Sequence, residues 1–197
     1  SEKNNWKEYA LSDISKIING YSYKGNELVD KSNIGMVTIK NFERTGGFKL
    51  DGFKDIYPEH CKDSQYVKLF DVLVACTDLT QNADIIGNAI MLLNISHYNE
   101  IIMSMDLVKI TPTTELVDNY LLYSIVNSKD FKKFALGYKS GTTVLHLNKN
   151  CFSEYRIKLP DKELLKKISN VIEVCYKNIA QNIEENVKLE KLKDILL

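Results

Sequence analysis

The most regular hydrophobic pattern lies in the last segment of the chain, residues 161–197. Apolar side chains recur there at alternating steps of three and four residues, which is the pattern of a coiled-coil seam. Asp161 after Pro160 supplies a helix start, and a helix over this segment would be roughly 55 Å long. The predicted seam, interpreted as a dimerisation face, comprises Leu165, Ile168, Ile172, Cys175, Ile179, Asn182, Asn186, Leu189 and Leu196, with Lys193 in the same register.

A helix of that length would extend past a domain of about 160 residues, so its apolar seam predicts a partner helix. Asn182 and Asn186 would cost stability in such a seam but fix its register. The alternative is a C-terminal helix that folds back onto its own domain. The pattern therefore divides the chain into a globular domain, residues 1–160, and a long spacer and dimerisation helix, residues 161–197.

The globular part begins with helical spacing and then changes period. Apolar residues from Leu11 to Ile18 predict a short helix, with Ser12 as a candidate cap and Gly20 as a stop. From Ile34 to Ile110, short apolar or alternating runs separated by glycine-rich and polar connections predict strands.

Helical spacing returns in the final third of the domain. Thr114 is a candidate cap for one helix, and a second helix is predicted to end near Gly137. A strand through 155–159 then leads to the long helix. Short strands without alternating helices favour an α+β domain with a mixed or antiparallel sheet, followed by a long C-terminal coiled-coil helix.

Composition narrows the possible classes of protein but does not identify one. The chain has 26 basic and 26 acidic residues, so its net charge gives no support for nucleic-acid binding. A local excess lies between Lys129 and Pro160, where seven basic residues oppose two acidic ones; this stretch is either a phosphate-binding surface or a solvated face. With no signal-like or membrane-length apolar run, a cytoplasmic location is expected.

The sequence carries no recognisable catalytic motif. Nucleotide-binding glycine motifs, zinc-protease motifs and serine-hydrolase motifs are absent, and the cysteines have no metal-ligand spacing. A cysteine and a histidine brought together by folding would leave an enzyme of unknown type as a further alternative. We therefore expect a non-catalytic protein with no metal and no cofactor. His146, between Leu145 and Leu147, is expected to be a packed histidine rather than a base contact.

The order of several short motifs resembles a known family. Its pieces are Trp6-Lys7-x-Tyr9-x-Leu11-Ser12-Asp13-Ile14, Asn19-Gly20, Val37-Thr38-Ile39-Lys40-Asn41, Phe70-Asp71-Val72-Leu73-Val74-Ala75-Cys76-Thr77-Asp78, Gly141-Thr142-Thr143-Val144-Leu145-His146-Leu147-Asn148, and Tyr155-Arg156-Ile157-Lys158-Leu159-Pro160 before a long helix. Together these resemble the specificity subunits of type I restriction-modification enzymes. The chain departs from the family after Pro160, where the usual second proline and the Gln of a Glu-Gln pair are missing, although Glu163 and Ile168 match.

The resemblance implies a target-recognition domain that reads one half of a bipartite DNA sequence, and a spacer helix that pairs antiparallel with another to set the gap. This half-length chain is then either a subunit that forms a homodimer or one half of a longer subunit. Double-stranded DNA, methyltransferase subunits and a nuclease subunit are the implied partners. Candidate DNA-binding residues, chosen as polar loop residues at motif positions, are Tyr21, Tyr23, Lys24, Asn41, Arg44, Thr77, Asp78, Lys139, Ser140, Thr142, Thr143 and His146. The alternative is a coiled-coil adaptor that binds protein and not DNA.

Overall fold

The computed structural model describes residues 6–80 and 82–196, and it has the predicted mixture of strands and helices. The helices are α1 Leu11–Ile14, α2 Asn119–Val126, α3 Lys129–Leu136, α4 Asn150–Glu154 and α5 Lys162–Leu196. The strands are β1 Lys7–Ala10, β2 Ser15–Asn19, β3 Ile34–Val37, β4 Lys54–Asp55, β5 Tyr66–Val67, β6 Val72–Ala75, β7 Thr77–Asp78, β8 Ala89–Met91, β9 Glu100–Met103, β10 Leu107–Pro112, β11 Lys139–Ser140, β12 Leu145–Leu147 and β13 Arg156–Leu159. The predicted α+β class with a long C-terminal helix is therefore confirmed.

The strands form four small sheets within the described residues. An antiparallel sheet has the order β2-β10-β6-β8, and a mixed sheet has the order β4-β3-β9-β5, in which β3 and β9 run parallel. A three-stranded sheet joins β11, β12 and β7, and β1 pairs with β13. Short antiparallel pairings predominate, as the sequence predicts.

Strand β6, inside the antiparallel sheet β2-β10-β6-β8, is apolar at every position and is buried on both faces. Val72 and Val74 face the core beneath the helices, whereas Leu73 and Ala75 face the mixed sheet. This alternation is the period of two expected for a strand. Since none of the four is exposed, β6 fixes the helices on one side and the second sheet on the other.

The N-terminal helix prediction is wrong over most of its length. Only α1 is helical; β1 precedes it and pairs with β13, and β2 follows it and pairs with β10. The predicted cap Ser12 lies inside α1, where instead the Asp13 carboxylate accepts a hydrogen bond from the Ala10 N–H (2.8 Å). The helical spacing was real, but pairing with distant strands overrides local spacing.

The two central helices are present, although the first begins later than predicted. Asp118, not Thr114, caps α2 by accepting from the Leu121 N–H (2.9 Å). Ser128 caps α3 through the Phe131 N–H (3.1 Å), and α3 ends at Gly137 as predicted. Thr114 instead accepts from the Leu116 N–H (3.3 Å) in a turn before the helix.

Helix α5 lies along its own domain with one face and presents another face to solvent. Leu165 and Ser169 are buried, and farther along the helix Ile172, Tyr176 and Ile183 pack on the main core. The Asp161 carboxylate accepts from the Leu164 N–H (2.9 Å), as expected for the predicted helix start. No helix in the described part of the chain combines the length and apolar character needed to span a membrane.

Candidate nucleic-acid interface

Several loops meet around the turn between β9 and β10. The Ser104 N–H donates to the Val37 carbonyl oxygen (2.9 Å), and the Tyr21 N–H donates to the last residue of β9 (2.8 Å). On the other side of the turn, the Asp106 carbonyl oxygen accepts from the Cys76 N–H (2.8 Å). The segments that follow β2, β3 and β6 are therefore neighbours, and we call this region the loop end.

The hairpin formed by β11 and β12 is attached to the loop end through β7. His146 lies opposite Thr77 on one side and opposite Ser140 on the other. The Leu147 N–H also donates to the carbonyl oxygen of Cys76 (2.8 Å). The hairpin thus brings its polar residues beside the segment after β6; the exposed members of this group are Lys139, Ser140, Thr142, Thr143 and His146.

The exposure of His146 corrects the expectation that it is a packed histidine. Its neighbours Leu145 and Leu147 are buried on one face of β12, so the side chain between them points to the opposite face. The imidazole of His146 is therefore accessible to a ligand at the loop end.

A cleft of about 350 Å³ opens beside this sheet, and its lining includes three basic residues together with the acidic residues Glu43 and Asp78. Arg44, Lys40 and Lys49 form part of its wall, and Leu79 and Thr80 form another part. Arg44 is exposed, and its side chain offers the donors that suit phosphate or guanine. The wall of the cleft therefore offers hydrogen-bond donors from Arg44 and Lys40, whereas the Lys49 ammonium is 3.3 Å from a carboxylate oxygen of Asp51.

Asp78 is at the base of this cleft, but its carboxylate is hydrogen-bonded to backbone N–H groups of the protein itself. Its carboxylate accepts from the N–H groups of Thr80 (2.7 Å), Ile85 (2.6 Å) and Ile86 (3.1 Å), and from the Thr80 hydroxyl (2.8 Å). Burial alone would raise the pKa of Asp78, but these hydrogen bonds outweigh burial and lower it. The side chain is 1% exposed, so it shapes the loop from beneath.

Three further predicted contacts are also buried. Asn41 is fully buried; its side chain accepts from the Thr38 N–H (2.9 Å) and donates to the Lys49 carbonyl oxygen (3.0 Å). Tyr21 packs in a small apolar cluster, and its hydroxyl donates to Glu27. Thr77, at 9% exposure, is also largely covered. These side chains stabilise the loops that carry the exposed residues.

Tyr23 and Lys24 are farther out on the loop that follows Tyr21. Tyr23 is half-buried, with the Lys54 ammonium 5.6 Å from its ring centroid. The exposed Lys24 ammonium is 3.5 Å from a carboxylate oxygen of Glu59. This loop reaches the β9–β10 turn through the Ser22 hydroxyl, which lies 3.6 Å from the sulfur of the exposed Met105.

The candidate DNA-binding residues do not include Lys40, Lys49 and Thr80, which also line the cleft. A signal exists for Thr80, because threonine two residues after an aspartate is typical of an Asx turn. Lys40 and Lys49 lie on either side of the glycine-rich segment 46–47, and only the fold brings them to one wall. The basic stretch 129–160 is divided among separate elements, since Lys139 is in the hairpin whereas Arg156 and Lys158 are in β13.

The predicted helix seam is also divided by the fold. Leu165 and Ile172 contact the helix's own domain, whereas the remaining seam positions are exposed. Leu164 and Val171, each one residue earlier, are exposed at 41% and 65%. We name the solvent-facing apolar set the outer stripe; it consists of Leu164, Ile168, Val171, Cys175, Ile179 and Leu189, with Asn182 and Asn186 between the last two.

Three solved structures share this fold, in which a loop-bearing α+β domain precedes a long helix. The type I restriction-modification S subunit from M. genitalium has a TM-score of 0.59 and 14% identity, covering 95% of this chain and 44% of that chain. A structure from work on complex assembly and conformational transition of the type I R-M system has a TM-score of 0.56 and 15% identity, and the match covers 94% of this chain and 43% of that chain. The HsdS subunit from Thermoanaerobacter tengcongensis has a TM-score of 0.53 and 14% identity, and the match covers 96% of this chain and 43% of that chain.

The fold is thus that of type I specificity subunits, and this chain spans less than half the length of those solved structures. A family model adds a match in sequence: type I restriction modification DNA specificity domain, over residues 3–191. The chain belongs to that family. Among curated proteins, none matches it with significant sequence similarity.

Proposed function

We propose that this chain is a sequence-specific DNA-binding module whose loop end reads one half of a bipartite target. The observation that carries the proposal is the convergence of polar side chains from three separate segments; two of them, Arg44 and His146, are exposed, and Thr80 is half-buried. Arg44 comes from the loop after β3, Thr80 from the loop after β7, and His146 from β12. Membership in a family of DNA specificity domains supports the same assignment.

The exposed groups suit two kinds of DNA contact. Arg44 and Lys40 supply donors for guanine edges or phosphate oxygens, and the hydroxyls of Thr142 and Thr143 suit either partner. The buried set, Asn41, Asp78 and Tyr21, supports the loops from inside. Direct reading of bases is therefore assigned to the exposed set; phosphate contacts from neighbouring lysines would position the duplex.

The second half of the proposal concerns α5. A helix of 35 residues is roughly 53 Å long, and its outer stripe is apolar and uncovered. We assign this stripe to antiparallel pairing with the same helix of a second copy. Such pairing is isologous, so two recognition domains would lie at opposite ends of the helix pair and would read an inverted repeat with unread bases between its halves.

In this role the chain supplies specificity and no catalysis. We propose that it directs methyltransferase and nuclease subunits to the DNA site, with bond making and breaking carried out by those partners. Family membership supports this division of labour.

Selection from a pool of random duplexes, with the partner methyltransferase subunits present, tests the function. The proposal predicts enrichment of two short sequence blocks at a fixed separation. Affinity for the selected duplex should fall steeply as salt increases, because phosphate contacts release counterions. A protein that selects no sequence and binds DNA weakly at all salt concentrations would instead be the coiled-coil adaptor.

A further inference from the structure

A lysine from α3 is inserted beneath the loop that forms part of the cleft. The Lys132 ammonium donates to the carbonyl oxygens of Ala83 (3.3 Å), Asp84 (3.2 Å) and Ile86. An ammonium has three N–H donors, so the three carbonyl groups use all of them. Lys133, the next residue on the same helix, is exposed. The position of Lys132 is therefore not that of an ordinary surface lysine.

The same loop is held from its other side by a carboxylate. Asp78 accepts from the N–H groups of Ile85 and Ile86. The Ile86 N–H is therefore bonded to a carboxylate, and the Ile86 carbonyl oxygen is bonded to the Lys132 ammonium. The loop also contains two residues with left-handed backbone, Ala83 (φ 56°) and Gly87 (φ 75°). For Ala83 this conformation is unfavourable, and external hydrogen bonds are what hold it.

The loop is in turn tied to the segment that carries Arg44. The Asn88 side-chain amide donates to the Asp84 carbonyl oxygen (3.0 Å) and reaches those of Glu43 (3.4 Å) and Arg44 (3.5 Å). Close packing also joins the loop to α3, because a β-carbon at Gly87 would be 3.0 Å from that of Ala135. A continuous path of contacts therefore runs from Lys132 to the backbone of Arg44.

We propose that Lys132 is a positioning residue for DNA reading: it fixes the loop 82–87 and, through Asn88, the backbone that presents Arg44 to the cleft. Its consequence for DNA rests on the proposed function. Its effect on the loop does not, because that effect is a property of the free protein. Lys132 faces inward, so it acts through the loop and makes no contact with DNA.

The loop is tested first, in the full 197-residue chain without DNA. Lys132→Met removes the ammonium and keeps an unbranched apolar stem. We expect the Ile85 and Ile86 amides to exchange hydrogen at least tenfold faster in this variant, with amides in β10 unchanged. Lys133→Met is the matched control and should leave all of these rates as they are. Unchanged exchange at Ile85 and Ile86 would overturn the inference.

DNA binding is tested next with two duplexes: the one selected by the unmodified chain, and a random-sequence duplex of equal length. Lys132→Met should weaken binding to the selected duplex about tenfold and binding to the random duplex less than twofold. Equal weakening of both would mean that Lys132 contacts phosphate, and the inference would fail. Lys132→Arg, which keeps the charge and donors, should recover most of the difference.

Two arrangements keep the outcome unambiguous. If Lys132→Met does not fold, Asn88→Ala breaks the same path nearer to Arg44 and should show the same selective loss; an unchanged preference in Asn88→Ala would contradict the inference. If the unmodified chain selects no duplex, the proposed function fails. The exchange rates at Ile85 and Ile86 then still decide whether Lys132 positions the loop.

Discussion

Asp78 and Asn41 direct their polar atoms to backbone groups of their own loops. Each is buried, and a buried polar group is stable only when it is hydrogen-bonded. Their neighbours at the cleft, the half-buried Thr80 and the exposed Arg44, are consequently held in defined places. The loop end therefore contains two sets of side chains: one set forms the surface, and the other is buried and holds the loops in place.

Asp78→Asn tests the supporting role through its dependence on pH. The folded pKa of Asp78 lies below its ordinary value of 3.8, so its stabilisation is complete above that value and is lost as the pH falls through the folded pKa. The variant should be about 2–3 kcal/mol less stable near pH 6. Denaturant unfolding should show this difference shrinking as the pH is lowered to about 2. A difference that does not change with pH would show that ionisation of Asp78 is not the cause.

Arg44→Ala tests the reading role. Loss of a bidentate base contact costs about 1–3 kcal/mol, which corresponds to roughly 5- to 150-fold in affinity for the selected duplex. Arg156→Ala is a suitable control because Arg156 is exposed on β13, opposite Ala10, and does not line the cleft. Fluorescence anisotropy with selected and random duplexes should show loss of preference only in Arg44→Ala. Equal loss on both duplexes would assign Arg44 to phosphate.

Sequence motifs located the loop end but could not distinguish its exposed residues from its buried ones. His146 is exposed although both of its neighbours are apolar, because β12 alternates. Asp78 and Asn41 were chosen for their polarity, and that polarity is directed inward. Whether a loop aspartate faces DNA or its own backbone depends on the path of the following residues, which residue type alone does not specify.

At the scale of elements, strand pairing explains the largest departure from the sequence prediction. Ile17 and Ile18 fit a helix by their spacing, yet they pair with Ile110 and Lys109 of β10. Their β-branched side chains favour a strand once such a partner is present. The long helix was predictable because its pattern extends over many turns and needs no distant strand.

Several contacts fix the direction in which α5 leaves the domain. The rings of Tyr123 and Tyr176 meet edge to face with centroids 5.1 Å apart, and Ser169 donates to Asp118. These contacts lie on the face of α5 that packs against α2, while Val171 of the outer stripe stays exposed. The helix therefore holds a set direction relative to the loop end, which a measuring role requires.

A heptad duplication tests that measuring role. Repeating residues 182–188 after Lys188 lengthens the helix by about 10 Å, or roughly three base pairs of B-DNA. Duplex selection should yield the same two sequence blocks with a longer gap between them. The same seven residues added after Leu197 should leave the gap unchanged. Altered sequence blocks at an unchanged gap would contradict the measuring role of α5.

At the scale of the whole molecule, the proposed pairing of two copies depends on which face of α5 its own domain leaves uncovered. The inner face of α5 is covered by its own domain, whereas the outer stripe is not. The sequence predicted a single seam because adjacent apolar pairs, Leu164 with Leu165 and Val171 with Ile172, fit either face. Only the packed fold shows which member of each pair contacts the domain and which remains available to another helix.

The mass of the chain in solution tests the pairing of two copies most directly. Light scattering during size-exclusion chromatography should give about 45 kDa, twice the chain mass of 22.6 kDa. Val171→Glu in the outer stripe should shift the mass toward that of one chain, whereas Asn170→Glu, outside the stripe, should not. A mass of 22.6 kDa for the unmodified chain at high concentration would contradict the account.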